Sequence, residues 1–483
     1  MQRHLLYPHR TSRGSNPRRV GILTRIVSTS AILLTGTAVM TFGVGATQAS
    51  ASRAFAPTNW TTYHANSVES GIAPPTARFT HPTMAWTSPD LDGQLYGEPL
   101  VDGSLVVVAT ENDTVYALSA STGSVVWSTS VGTAVPAGNL PCGDISPTVG
   151  ITGTPVIDTA RGEVFAVTDE IAGSSAQHFL VGLDVSTGTV VLHQAISLPG
   201  SDQLAQLQRT GLALDDGNVV MGFGGNAGDC GNYHGWVASV PEGGGVEQSF
   251  EVASASGDSQ GAVWMGGAAP VVDGLGNVWV STGNANTSGP SPDASDSVVE
   301  LSPMLDVEQT FTPSTWQTDN ANDLDLGTPS PAIMGNGYVL QMGKTQTVYL
   351  LNASNLGGVG GQVAQLGSVC GNDVDGGEAF TSTVVYEPCL SGVMAIKVRP
   401  QSKRNPLRAL WTTSTGSTGP PIVAGNDVWT ISQDGTLYGL RKSNGRPVAQ
   451  LALGSVPANH FPTPAVGAGL LLAPAYDQVV AFR

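Results

Sequence analysis

From about residue 80 onward the chain repeats one pattern, and that repeat limits the fold more than any other feature. The unit at 95–132 shows it best. Pro99 and Val101 open a strand, Asp102-Gly103 turns, 105–109 is a second strand, and Asn112-Asp113 turns again. A third strand follows at 115–118, then the turn Ser121-Thr122-Gly123, then a fourth strand at 125–127. Four short β-rich runs joined by hairpin signals make one small antiparallel sheet. Degenerate copies follow at 153–195, 210–252, 266–311, 327–366, 381–413 and 419–453. An eighth begins at Phe461 and reaches Arg483 with only three strands. Its outer strand can come from 83–88 (TMAWTS), which resembles the Trp-bearing strand of the other units. Sheets repeating at this period close into a ring, and one composite blade leaves no open edge. The expected fold is all-β: an eight-bladed β-propeller of four-stranded antiparallel blades, closed by an N-terminal strand. Seven blades is the alternative, because the sixth unit is weak.

Composition agrees. Glycine (61) and proline (31) are about a fifth of the 483 residues, as many tight turns require, and charged residues are only 12%. The formal net charge of −17 excludes a nucleic-acid partner on electrostatic grounds. Residues 1–25 hold six arginines and no acid, residues 26–52 are uncharged, and Ala49-Ser50-Ala51 is an A-x-A cleavage site. Residues 1–51 therefore read as a signal peptide, 52–79 as a lead-in and 80–483 as the propeller. Arg18-Arg19 hints at twin-arginine export; ordinary Sec export and a retained N-terminal anchor are the alternatives. The expected location is secreted or at the cell exterior. Without the leader, 14 Lys plus Arg face 37 Asp plus Glu, a net charge of −23.

In an exported chain, Cys142, Cys230, Cys370 and Cys389 suggest two disulfides. Three pairings are open; Cys370–Cys389 is the most local, which would leave Cys142–Cys230. No C-x-x-C-H occurs, so no c-type haem is expected. No G-x-S-x-G or H-E-x-x-H supports a serine hydrolase or a zincin.

The segments VYALSASTG followed by VVW, VGLDVSTG and LYGLRKSNG resemble the repeat of pyrroloquinoline-quinone (PQQ) propellers. Over roughly residues 60–483 the chain resembles the quinoprotein alcohol dehydrogenase-like superfamily. That group holds dehydrogenases as well as cofactor-free scaffolds such as an outer-membrane assembly lipoprotein, so the fold does not settle activity.

The resemblance implies roles for particular residues. Trp264 would be the flat floor under the quinone. Asn284, twenty residues later in a strand-ending Gly-Asn, would be a ligand of the Ca²⁺ that polarises the quinone. Asp325, in Asn322-Asp323-Leu324-Asp325, would be the base that takes the substrate hydroxyl proton. Lys344, the only Lys or Arg between Arg209 and Lys397, falls where the family places a cation beside the quinone oxygens. Asp229 stands in the loop where a calcium-ligating Glu is expected, and Arg209 is one candidate for gripping a cofactor carboxylate.

There are departures too. The family's adjacent Cys-Cys, its calcium-ligating Glu and a built-in haem are absent. The leading expectation is a non-catalytic binding or scaffold propeller presenting loops to a protein, glycan or small-molecule partner, with a monomer expected. The alternative is a PQQ- and Ca²⁺-dependent dehydrogenase of alcohols or sugars. An enzyme of another kind, built on acidic residues at the ring mouth, is a third reading. His234, Asp293, Asp296, Asp373, Asp375 and Glu378 are weaker candidates, each also explained as an ordinary loop residue.

Overall fold

The computed structural model describes residues 59–371, 374, 376–416, 419–458 and 460–483. The leader and the acidic pair Asp373 and Asp375 lie outside them. The described residues form eight four-stranded antiparallel blades. Blade 1 runs Leu100–Asp102, Leu105–Thr110, Thr114–Ser119 and Val125–Ser130. Blades 2 to 7 occupy 156–195, 213–251, 271–312, 332–366, 379–412 and 422–452. Blade 8 takes three strands from 465–482 and its outer strand, Met84–Thr87, from the other end of the chain. Met84 pairs with Phe482 and Thr87 with Val480, so the composite closure anticipated from the Trp-bearing segment is present. The weak sixth unit is a complete blade, and the count is eight.

Inner strands such as Ile422–Ala424 are buried throughout, while outer strands such as Val190–Ala195 alternate exposed and half-buried. Each outer strand leans on the next blade, and the contact explains the Ser-Thr-Gly turns. Trp86, Trp127 and Trp411 sit on the outer strands of blades 8, 1 and 6. Their indoles donate to the carbonyls of Ala120, Val185 and Lys442 at 2.9–3.0 Å, in the turns of blades 1, 2 and 7. Each ring then covers the glycine three residues on. A Cβ on Gly123, Gly188 or Gly445 would lie 2.4–2.5 Å from the indole, and each glycine also has φ near +70°. Where the tryptophan is missing, a glutamine makes the same bridge. Gln194 of blade 2 exchanges two hydrogen bonds with Gly245, and Gln309 of blade 4 bonds Ala353 O and Leu356 N.

The lead-in has structure that the repeat did not reveal. Residues 60–73 run along the ring's inner strands. Trp60 pairs with Val101 of blade 1, Thr61 with Ile157 of blade 2, and Ser67 with Val272 of blade 4. Ser70 pairs with Phe380 of blade 6, and Gly71 and Ala73 with Val423 of blade 7. This segment fills the centre of the ring. Two disulfides, Cys142–Cys230 and Cys370–Cys389, complete the covalent frame, as the most local pairing suggested.

The interior holds many acids. Glu69, on the axial segment, and Glu98, Asp169 and Glu378 on the blades are buried, and burial holds their carboxyls well above the usual range. Burial pushes Glu111 up to about 7 and Glu387 to about 8. It pushes Asp113 to about 9, with Asp169 and Glu170 adding to the effect. Such groups bind protons more tightly in the folded ring than in the unfolded chain.

Two measurements check these points. Gly188→Ala is expected to cost about 1–3 kcal/mol in denaturant unfolding. Gly162→Ala has a similar φ of +71° but open space around the new methyl, so it should cost clearly less. Equal losses would remove the indole contact as the cause. Stability should also be greatest at acidic pH. The contribution of the buried carboxyls is complete near their unfolded values of 3.8–4.5 and is lost as pH rises towards 7–9. The calorimetric midpoint should fall by about 5 °C or more between pH 5 and pH 9; a flat or rising profile would contradict the assignment.

Candidate functional site

In an antiparallel four-stranded blade, the segment entering the first strand and the loop between the second and third strands lie at the same end. The candidate residues come from these two kinds of segment, so the topology itself brings them to one face. Arg209 enters blade 3, Trp264 enters blade 4, and Asp323 and Asp325 enter blade 5 after the short helix Trp316–Ala321. Asp229, Asn284 and Lys344 follow the second strands of blades 3, 4 and 5. All of these line one cavity of about 570 Å³, together with Tyr96, Asp144, Asn226, His460 and Phe461.

At one side of the cavity is a dense ionic cluster. Lys344 Nζ lies 2.6 Å from Asp325 Oδ2 and 3.2 Å from Asp323 Oδ1. It also stands 5.7 Å from the Trp264 ring centroid, over the indole. The second oxygen of Asp325 accepts the Asn284 N–H at 2.7 Å. Two glycines make the approach possible: a Cβ on Gly283 would lie 2.5 Å from Asp325 Oδ1, and one on Gly343 would lie 2.4 Å from the Asp325 carbonyl. Burial raises the Asp325 carboxyl, while Lys344 and the Asn284 N–H draw it back. Burial acts to lower the Lys344 ammonium, but Asp325 and Asp323 outweigh it and hold it above its ordinary value. Beneath this pair is Asp296, fully buried, which accepts the Leu326 N–H at 3.1 Å. Burial and the nearby Asp325 push its carboxyl up to about 8. The sequence offered Asp296 only as a weaker candidate in a loop.

Across the cavity Arg209 has a different environment. It is 6% exposed, and its guanidinium lies between the rings of Tyr96 at 5.7 Å and Phe461 at 5.2 Å. Its hydrogen bond is to the His460 carbonyl at 3.5 Å, and among the described residues no carboxylate comes within ion-pair distance of it. Gly267 leaves it room, since a Cβ there would sit 2.8 Å from Nη1. His460 pairs with Asp144, which joins the lead-ins of blades 8 and 2 across the mouth. The sequence had no signal for this wall: Tyr96 and Phe461 are single aromatics, and His460 and Phe461 both have positive φ.

The loop from blade 3 is held by Cys142–Cys230, and Gly228 packs against the Cys142 sulfur. Asp229 accepts the Tyr233 hydroxyl at 2.6 Å. Outside the cavity, His234 pairs with Glu251 at 3.2 Å, and Asp293 accepts the Ala255 N–H. Glu378 is buried near the axial segment.

These residues do not fit the calcium–quinone assembly that the fold suggests. Both oxygens of Asp325 are taken by Lys344 and the Asn284 N–H, and Asp229 is bonded to Tyr233 through one oxygen. The family's adjacent cysteine pair is replaced by Cys142–Cys230, a bridge between residues 88 apart.

Comparison with known proteins agrees with the architecture. Residues 79–299 match the family model of the outer membrane protein assembly factor BamB. No curated protein sequence matches the chain. Among solved structures, the quinohemoprotein alcohol dehydrogenase ADHIIG of Pseudomonas putida HK5 is similar at a TM-score of 0.67 and 14% identity, covering 88% of this chain and 80% of that one. The quinohemoprotein alcohol dehydrogenase of Comamonas testosteroni is similar at 0.65 and 15%, with the same coverage of 88% and 80%. BamB from Moraxella catarrhalis is similar at 0.53 and 16%, covering 83% of this chain and 97% of that one. The chain is an eight-bladed β-propeller whose fold is similar to that of the quinohemoprotein alcohol dehydrogenases, with the family match confined to residues 79–299.

Proposed function

We propose that the chain is an exported, non-catalytic binding propeller whose axial cavity takes a small organic anion with a flat or apolar body. One observation carries this reading: among the described residues, Arg209 is a buried guanidinium with no carboxylate at ion-pair distance, reached only at longer range by Glu111 and Asp144. Arginine stays charged at any pH a protein meets, and an unpaired buried charge is costly. A ligand carboxylate between Arg209 and the floor at Trp264 would supply the missing charge, with the faces of Tyr96 and Phe461 beside it. Lys344, by contrast, is already neutralised by Asp323 and Asp325. Export rests on the arginine-rich leader and on two disulfides, which persist in oxidising compartments.

The convergence of Trp264, Asn284, Asp325 and Lys344 on one cavity favours a second reading, a dehydrogenase with Asp325 as base. The donor geometry weighs against it, because Asp325 would first have to release Lys344 and the Asn284 N–H.

Titration calorimetry with a series of carboxylates, from succinate to PQQ without calcium, tests the binding reading. At least one should bind, and Arg209→Gln should weaken it about tenfold or more, as expected for a lost charge-assisted contact. If none binds, the reading falls. A dye-linked alcohol oxidation assay with PQQ and Ca²⁺ should show no turnover. Turnover abolished by Asp325→Asn, with binding retained, would overturn the non-catalytic assignment.

A further inference from the structure

Beside the axial cavity, at the rim of blades 4 and 5, lies a second concavity of about 440 Å³. Its wall is made by Gln260, Asn286, Thr287, Gln317 and Asn320, with Ala285, Ala321 and Trp316 between them. It contains no charged side chain. The chain passes directly from one site to the other, since Asn284 lines the axial cavity and Ala285 and Asn286 line this groove. The loop after blade 4 does the same: its helix Trp316–Ala321 faces the groove, and Asp323 and Asp325 beyond it face the cavity.

The polar groups of this groove are largely unspent. Asn320 is used: it accepts the Ala285 N–H at 2.9 Å and donates to Ser295 at 3.3 Å. The side chains of Gln260, Asn286, Thr287 and Gln317 make no hydrogen bond within the chain. Trp316 is 7% exposed, yet its indole N–H has no partner and is not enclosed. A tryptophan buried this far usually satisfies its N–H. Here the N–H is open to the surface, on a residue that lines the groove.

We infer that this groove is a binding site for a neutral polyhydroxylated ligand, a saccharide unit, separate from the anion site. Each free amide offers a donor and an acceptor side by side, the pairing that neighbouring hydroxyls of a sugar present. The indole N–H adds a fixed donor, and the methyls of Ala285 and Ala321 offer small apolar surfaces for ring carbons. An anion or a cation would find no counter-charge on this wall. The inference does not depend on what fills the axial cavity.

Saturation-transfer NMR on the full chain with trehalose, maltose, cellobiose and lactose tests it. At least one disaccharide should receive saturation. Asn286→Ala, at an exposed position that leaves folding intact, should reduce the transfer about threefold or more, as loss of a hydrogen bond does. Trp316→Phe, which keeps the ring and removes the donor, should act in the same direction. Arg209→Gln should leave the transfer unchanged. Absence of transfer from every sugar overturns the inference. So does transfer that persists in Asn286→Ala, or transfer lost in Arg209→Gln, which would place the sugar in the axial cavity.

Discussion

The ring depends on one repeated contact, in which the outer strands of blades 8, 1, 2, 4 and 6 reach across to the last turn of the next blade. Where the contact is an indole over a glycine, it combines a hydrogen bond to a backbone carbonyl with close packing that tolerates no Cβ. The turn must therefore carry glycine twice over, for positive φ and for space. Where the contact is a glutamine, an amide reaches two backbone groups of the next blade's turn. The substitution preserves the bridge while erasing the Trp–Gly signature. Blades 3 and 5 are thus held like their neighbours although their sequences look less regular.

This also separates what was legible in the sequence from what was not. Strands, turns and the composite closing blade follow from period-two patterning and from the Ser-Thr-Gly turns, which are local features. The sixth blade looked weak because its inner strand follows a loop rich in glycine and aspartate. The axial segment at 60–73 was invisible because it has no repeat. Its pairing partners come from five different blades and meet only once the ring has closed. At the site, Trp264, Asn284, Asp325 and Lys344 could be picked out because each sits at a fixed point in its own repeat. Tyr96 and Phe461 could not, and Asp296 stood out only as a loop residue, because their roles come from neighbours far away in the chain.

The buried acids fit the same logic. A propeller narrows towards its axis, so inner strands and lead-in segments are enclosed whatever side chains they carry. With so few Lys and Arg available, Glu69, Glu98, Asp113 and Asp169 have no cation to meet, and burial favours their protonated forms. The shortage of positive charge is therefore a property of the interior as well as of the surface. It favours a fold that is most stable where carboxyls remain neutral.

That shortage gives the two cations of the axial cavity different meanings. Lys344 meets two carboxylates and completes an ion pair within the protein, which locks the loops entering blade 5 and following its second strand. Arg209 is enclosed by aromatic faces and a carbonyl, which lower the cost of burying its charge without cancelling it. In a chain of net charge −17, a buried guanidinium that only Glu111 and Asp144 reach, and at longer range, is a local reversal of the surrounding field. Low-dielectric walls on either side concentrate that reversal on the mouth between them. The chemistry open to the site follows from this contrast. The residues that resemble a catalytic pair satisfy each other, whereas the arginine meets carboxylates only at longer range, which is why the proposed ligand is placed against it.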